Sequence, residues 1–311
     1  MKPLVTISLV TYNSEKLIRE CLDHIIEQRY PKLQAIIIDN NSTDDTLKVI
    51  SQDPYIGRFT LVQNPKNIGY SRAHNQGIRM AKGEYVICLN PDVFLHRDFV
   101  AAQVEVMRKN PRIAAISGKL YSDLNDKTLD STGISLKFSR KAVDRGQGEI
   151  DTNQYPAGRV FGASGAAPMY RKEALEHAKV GGEYFDELFW MYKEDVDLSW
   201  RFNKLGWICW YNPRAIAVHL RTVSTLKGRR RRTRRVRYYS YKNHLLTIAK
   251  NESPKGLLWH GPAILFLEIQ KLLYALLFEQ ILIKAFLVFW IQLPQVLVKR
   301  EVIRRKKIKG T

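Results

Sequence analysis

Leu4-Val5-Thr6-Ile7-Ser8-Leu9-Val10, followed at once by Thr11-Tyr12-Asn13, is the stretch from which the fold is read. A β-rich run breaking into a polar turn reads as a strand whose carboxyl end carries polar groups. Beyond the turn, Leu17, Ile18, Cys21, Leu22, Ile25 and Ile26 recur at helical spacing. Ser14 is the expected cap of that helix and Pro31 its stop. Ala35 to Ile38 is then a short continuous apolar run ending at Asp39, as a strand in a buried parallel sheet is. Asn40-Asn41-Ser42-Thr43-Asp44-Asp45 makes a turn and caps a second helix. Phe59 to Gln63 reads as a third strand, Ser71 to Ala81 as a third helix, and Tyr85 to Leu89 as a fourth strand ending at Asn90-Pro91-Asp92.

Strands and helices that alternate in this way predict an α/β fold with a mostly parallel sheet. Ligands of such sheets sit outside the carboxyl ends of the strands. Thr11-Tyr12-Asn13, Asp39 and Asn90-Pro91-Asp92 all fall at those ends. From Lys119 the alternation loosens into polar and glycine-rich stretches, among them Gly162-Ala163-Ser164-Gly165-Ala166-Ala167. Phe185 to Trp190 leads into Tyr192-Lys193-Glu194-Asp195-Val196-Asp197 and a helix that closes at Gly206. Ile208 to Tyr211 and Ala215 to His219 read as two paired strands around a turn at Asn212-Pro213.

The chain has 311 residues, enough for one large domain with an appendage or two modest domains. Lys and Arg number 50 against 30 Asp and Glu, a net +20 that predicts an anionic partner. Cys21, Cys88 and Cys209 are scattered without a CxxC spacing, which argues against a zinc site or disulfide framework and for buried, reduced thiols. Met1-Lys2-Pro3 and the short run after it do not make a signal peptide. The chain is therefore expected on the cytoplasmic face of any membrane it touches.

Each polar residue singled out has two readings. Asp39 is a cap or strand-end residue, or an acid that grips a base or ribose. Asp92 belongs to a Pro-Asp turn, or it is a ligand for a hard cation on a pyrophosphate. Glu194, Asp195 and Asp197 precede a helix. They compensate its dipole, or one of them, Asp195 before Glu194, is a general base for a sugar hydroxyl. His219 is structural, or it is a second metal ligand.

As a set, these pieces resemble the GT-A-fold glycosyltransferases of family 2, in particular the bacterial rhamnosyltransferase-like branch. The matching segments are residues 8–13, 38–44, 64–69, 75–78, 89–92, 162–171, 194–197 and His219, in order over residues 4–245. The resemblance implies that Thr11, Tyr12, Asn13, Asp39, Asn67, Gly69 and Asn75 form the nucleotide site. It implies Asp92 and His219 at a divalent metal, Mg²⁺ or Mn²⁺. Asp195 takes the place of the base, with Glu194 beside it, and Gly162, Ala163, Ser164 and Trp190 receive the acceptor. The expected reaction inverts the anomeric centre, with rhamnose from dTDP-rhamnose as the first donor and a glucosyl, galactosyl or GlcNAc donor as the alternative. Two departures stand out: Asn90 replaces the first acid of the DxD motif, and no QxxRW follows the acid cluster. The second departure argues against polymer synthesis.

The expected organisation is a catalytic domain over 1–225 (donor half to about 118), a basic segment over 226–255 and an apolar tail over 256–311. Eight Lys and Arg lie between Lys227 and Arg237, including Arg229, Arg230, Arg231 and Arg232, with no acid. They read as a solvated face, or as contacts to an anionic membrane or a diphosphate. Nucleic acid binding by a non-catalytic protein is the alternative of a different class, and the apolar tail argues against it. Glu268, Lys271, Glu279 and Lys284 interrupt that tail. Two amphipathic helices lying in the membrane interface are therefore expected, presenting a lipid-linked or saccharide acceptor, with a homodimer through these helices as a further option.

Overall fold

The computed structural model describes residues 1–221 and 233–309. Its first half is the predicted alternation: β1 (Val5–Thr11), α1 (Ile18–Ile26), β2 (Leu33–Asp39), α2 (Thr46–Ser51), β3 (Phe59–Gln63), α3 (Tyr70–Met80) and β4 (Tyr85–Leu89). β1 lies between β2 and β4, parallel to both, with Thr11 opposite Asp39 and Leu9 opposite Leu89. The carboxyl ends of these strands thus form one edge. Val5, Ile7 and Leu9 bury one face of β1 against Ile18, Cys21, Leu22 and Ile25 of α1. On the other face Val10 packs with Ile36 and Ile38 of β2 and Ala73 of α3. Each such side chain contributes about 1.5–3 kcal/mol, so β1 is fixed from both sides. Ser14 does not cap α1 through its side chain, as expected from sequence; its carbonyl takes the N–H groups of Leu17 and Ile18 while its hydroxyl turns back to Tyr12 O.

The second half adds β5 (Val93–Leu95), α4 (Phe99–Lys109), β6 (Ile113–Asp123), β7 (Thr128–Ser131), the pair β8 (Ile134–Leu136) and β9 (Ala142–Asp144), and β10 (Gly158–Val160). β11 (Met169–Arg171), α5 (Lys172–Ala178), α6 (Glu194–Lys204) and β12 (Ile208–His219) complete it. Among the described residues they extend the sheet in the order β10-β12-β6-β11-β4-β1-β2-β3, with β5 on β12 and β7 on β6. The two strands expected around Asn212-Pro213 are one strand. β12 runs parallel to β6 throughout, and its register shifts between Asn212 and Ile216. Proline lacks an N–H, and a bulge tolerates that loss inside a continuous strand.

Three helices follow: α7 (Arg234–Asn251), α8 (Pro254–Phe278) and α9 (Gln280–Arg304). Most of the basic run lies outside the described residues; Arg234 and Arg235, which open α7, are exposed, but the rest of the helix is buried or half-buried. Lys242, Asn243, Lys250 and Asn251 are all buried against the catalytic domain. α9 runs alongside α7 in the same direction: Arg237 pairs with Glu279 near one end, Lys242 donates to Gln292 Oε1 at 3.0 Å, and Arg300 to Ala249 O at 2.7 Å. α8 returns against α9, and its Glu268 reaches His244 of α7 at 3.1 Å. The charged residues expected to interrupt the tail lie inside these helices, Glu268 and Lys271 in α8 and Lys284 in α9. By length and composition both helices nonetheless remain long and apolar enough to cross a membrane. Glu268 and Lys271 pair with each other at 2.6 Å, and Glu279 pairs with Arg237 of α7.

Candidate active site

The strand ends line a cleft of about 880 Å³, a size suited to a small-molecule ligand. Thr11, Tyr12 and Asn13 line it, as do Asn40, Asn67 and Gly69. The Thr11 hydroxyl is buried without a partner, a polar group that a ligand would satisfy. Asn13 Oδ1 accepts the Thr43 N–H at 2.8 Å. Asn40 was not foreseen from sequence: its Nδ2 donates to Asn67 Oδ1 at 3.1 Å, and its Oδ1 accepts the Ile68 N–H at 3.0 Å. These bonds fold residues 67–69 over the end of β2. Gly69 has φ +86°, and a Cβ there would lie 2.7 Å from the Trp190 ring.

Two residues expected at the nucleotide, Asp39 and Asn75, do not line the cleft in this structure. Asp39 is fully buried, and its carboxylate accepts the backbone N–H of Ser42 at 2.9 Å and the Ser42 hydroxyl. It shapes the 39–42 turn behind the cleft wall. Asn75 is also fully buried; it donates to Phe185 O and accepts the Phe185 N–H, both at 2.8 Å. Its amide is consumed in clamping the segment before Trp190. Of the expected acceptor residues, Ser164 and Trp190 line the cleft. Gly162 pairs instead with Ile134, and Ala163 lies in the core. Arg229, Arg230, Arg231 and Arg232 lie outside the described residues.

β5 follows the Asn90-Pro91-Asp92 turn and pairs with β12 in the register Val93 opposite His219. This puts His219 Nε2 3.5 Å from Asp92 Oδ1. His219 Nδ1 faces Asp130 Oδ2 at 2.8 Å, and Arg221 holds the other oxygen of Asp130. A carboxylate on Nδ1 fixes the tautomer that leaves the Nε2 lone pair for a cation. Burial disfavours the imidazolium, but Asp130 and Asp92 outweigh it and raise the His219 pKa to about 9. Proton and cation therefore compete for Nε2. Asn90 Oδ1, where sequence expects the missing acid, is buried without a partner. Among the described residues no group of three or more His, Cys, Asp or Glu converges. Asp92 and His219, with Asn90 Oδ1 nearby in the chain, fit a hard cation that takes its remaining ligands from a diphosphate and water.

Asp195 opens α6 on another wall of the same cleft. Its Oδ2 accepts the Gly165 N–H at 3.0 Å and its Oδ1 the Val196 N–H at 2.8 Å. A Cβ on Gly165 would sit 3.0 Å from Oδ2, so glycine is what allows this approach. Burial raises the Asp195 pKa, and Lys193 opposes the rise without cancelling it. Glu194 is buried with one oxygen unpartnered. Burial, and then the charge of Asp195, push its pKa up to about 8.

The residues before α6 are strained: Trp190, Tyr192 and Lys193 have φ of +63°, +68° and +69°, at a cost of about 1–3 kcal/mol each. Trp190 stacks on Tyr239 of α7, and the Arg235 guanidinium lies 5.5 Å from its ring. α7 to α9 thus wall the cleft beside Asp195, and they bring Arg235, Arg237 and Lys271 to its lining. Lys141 and Lys193 add to this basic side from the catalytic domain.

A family model described as glycosyl transferase family 2 matches residues 6–178, more than half of the chain. The chain is 29% identical over 212 residues to the poly-beta-1,6-N-acetyl-D-glucosamine synthases of Staphylococcus epidermidis and Staphylococcus aureus strain COL. That match takes in 68% of the chain and 48% of the synthases, so the chain spans about half the length of these curated relatives. Among solved structures, the mannosyltransferase PcManGT of Pyrobaculum calidifontis, in complex with GDP-Man and Mn²⁺, matches at TM-score 0.57 and 20% identity over 97% of this chain and 74% of its own. GalNAc-T7 with UDP, GalNAc and Mn²⁺ matches at TM-score 0.60 and 13% identity, over 80% and 48%. S. aureus TarS 1–349 with UDP matches at TM-score 0.51 and 17% identity, over 80% and 67%. These neighbours share the GT-A fold. With the family model covering β1 through α5, the chain belongs to glycosyl transferase family 2.

Proposed function

We propose that the chain transfers a sugar from a nucleoside-diphosphate donor to a hydroxyl of a lipid-linked saccharide, inverting the anomeric centre. The observation that carries this reading is Asp195: a carboxylate fixed by two backbone N–H groups, in one cleft with the Asp92–His219 pair and the strand-end shelf. Asp195 takes the proton of the acceptor hydroxyl as it attacks. Asp92 and His219 would hold a divalent cation, which would supply neutralisation of the leaving nucleoside diphosphate. Thr11, Tyr12, Asn13, Asn67 and Gly69 form the nucleotide wall.

For the donor, a UDP-linked N-acetylhexosamine replaces rhamnose as first candidate. Support comes from the relatives named as poly-beta-1,6-N-acetyl-D-glucosamine synthases and from the UDP bound to TarS and GalNAc-T7. The basic lining from α7 and α8 suits a phosphate-bearing acceptor, and the exposed apolar side chains of α8 and α9, such as Leu258, Trp259, Leu277 and Ile291, suit a lipid surface beside it. The test is nucleoside diphosphate release from a panel of nucleotide sugars with Mn²⁺ or Mg²⁺. We expect turnover with a UDP-hexosamine and a loss of about 10²–10⁴-fold in Asp195→Asn. Equal turnover by both proteins removes Asp195 as the base.

A further inference from the structure

The segment joining the cleft to Asp195 is held from outside the family-matched region. Asn243, on α7, is completely buried. Its Nδ2 amide, with two hydrogens and one of them shared, serves three carbonyls of that segment: Phe189 O at 2.7 Å, Met191 O at 2.8 Å and Tyr192 O at 2.8 Å. The carbonyl between them, Trp190 O, accepts the Ser71 N–H at the start of α3, at 3.1 Å. Lys242, the neighbour of Asn243, donates to Leu188 O at 2.7 Å. Five consecutive carbonyls are therefore tied down, four of them by two adjacent side chains of α7. The same stretch contains the left-handed residues Trp190, Tyr192 and Lys193. Left-handed backbone at residues with bulky side chains persists only where its surroundings over-determine it.

We propose that Asn243 is a positioning residue for sugar transfer: it locks Phe189–Lys193 in its left-handed path and thereby sets both Trp190 over Gly69 and Asp195 against Gly165. The assignment of Asp195 as base rests on the function proposed above; the clamp does not. α7 is then part of the catalytic apparatus, and the helical appendage completes the active site as well as covering it. Aspartate at 243 would keep the shape and replace the donor with an acceptor facing three carbonyl oxygens.

The experiment uses the full chain in detergent and compares Asn243→Ala, Asn243→Ser and Asn243→Asp with Asn251→Ala. Asn251 is buried on the same helix and donates to Asp197 Oδ1 at 2.8 Å, away from the segment. Hydrogen–deuterium exchange of the peptide spanning 189–195 is expected to quicken about tenfold or more in the Ala and Asp variants and less in Ser, with Asn251→Ala at the wild-type rate. At matched folded fraction, kcat is expected to fall about 100-fold in Asn243→Ala and much less in Asn251→Ala. Wild-type exchange in all three Asn243 variants, or equal acceleration in Asn251→Ala, overturns the clamp. If Asn243→Ala does not fold, the Ser variant carries the same comparison. If the wild type transfers no sugar, exchange still decides the clamp and only the transfer reading fails.

Discussion

The carboxylate of Asp195 receives two backbone N–H groups, which favour its charged form, while burial works against it and raises its pKa. The Lys193 ammonium is the largest influence in the other direction. A base must be ionised, so transfer is lost as pH falls through the raised pKa of Asp195. The acid limb of kcat/KM is expected above the ordinary carboxylate range of about 4. Lys193→Met removes the cation, so the limb should move to higher pH and activity should fall more at pH 6 than at pH 8. A limb that stays in place, or moves down, in a pH series of the two proteins contradicts the assignment. Asp195, Asp92 and His219 were legible in the sequence because each stands beside a recognisable strand end or helix start. Asp130 was not: it meets His219 from 89 residues away, across a strand pairing that no local pattern announces. Nor was Asn243: it lies beyond the basic run, and its partners at 189–192 are about 50 residues away in the chain.

At the scale of elements, α6, α7 and α9 are joined by buried charge. Lys250 of α7 lies 2.7 Å from Asp186 and 2.9 Å from Asp197, Arg201 pairs with Asp197 at 2.9 Å, and Lys299 of α9 reaches Asp186 at 2.6 Å. Burial alone would raise the pKa of both acids, but the cations outweigh it and hold Asp186 and Asp197 below the ordinary carboxylate value. Their contribution to stability is present above about pH 4 and is lost as pH falls below it toward their depressed values. Lys250→Met breaks the cluster on one side only and leaves buried carboxylates undercompensated. Denaturant unfolding at pH 7 should show a loss of about 3–5 kcal/mol, and a loss below 1 kcal/mol would mean the cluster does not join the helices. The elements that sequence read at their observed bounds, β3 and β4, are short apolar runs between turns whose limits are local. β12 was read as two strands because Asn212-Pro213 looks like a turn in isolation, whereas its partner β6 decides that it is a bulge.

At the scale of the whole molecule, the composition of α8 and α9 permits a membrane-crossing hairpin, yet their packing argues for another arrangement. Ala275 of α8 and Leu282, Ala285, Phe289 and Val296 of α9 are buried with Leu245 and Leu246 of α7 and with Phe189 of the strained segment. Beyond α9, Lys306 donates to His177 O at 2.8 Å and the Lys309 N–H to Leu205 O at 2.7 Å, both on the catalytic domain. Drawing the hairpin across a bilayer would strip this apolar contact from α7 and expose its buried face. A hairpin lying flat keeps that contact and turns Leu258, Phe266, Leu277 and Ile291 outward toward lipid. The α8–α9 junction then stays on the side of the catalytic domain, whereas a crossing hairpin carries it to the opposite side. Cys21, Cys88 and Cys209 are all buried, so a single new cysteine at the exposed Gln280 reports the difference. With sealed vesicles bearing the Gln280→Cys protein, a membrane-impermeant maleimide added on the side of the catalytic domain should label it. Labelling only from the opposite side would establish the crossing hairpin and require α9 to leave α7 in the membrane-bound enzyme.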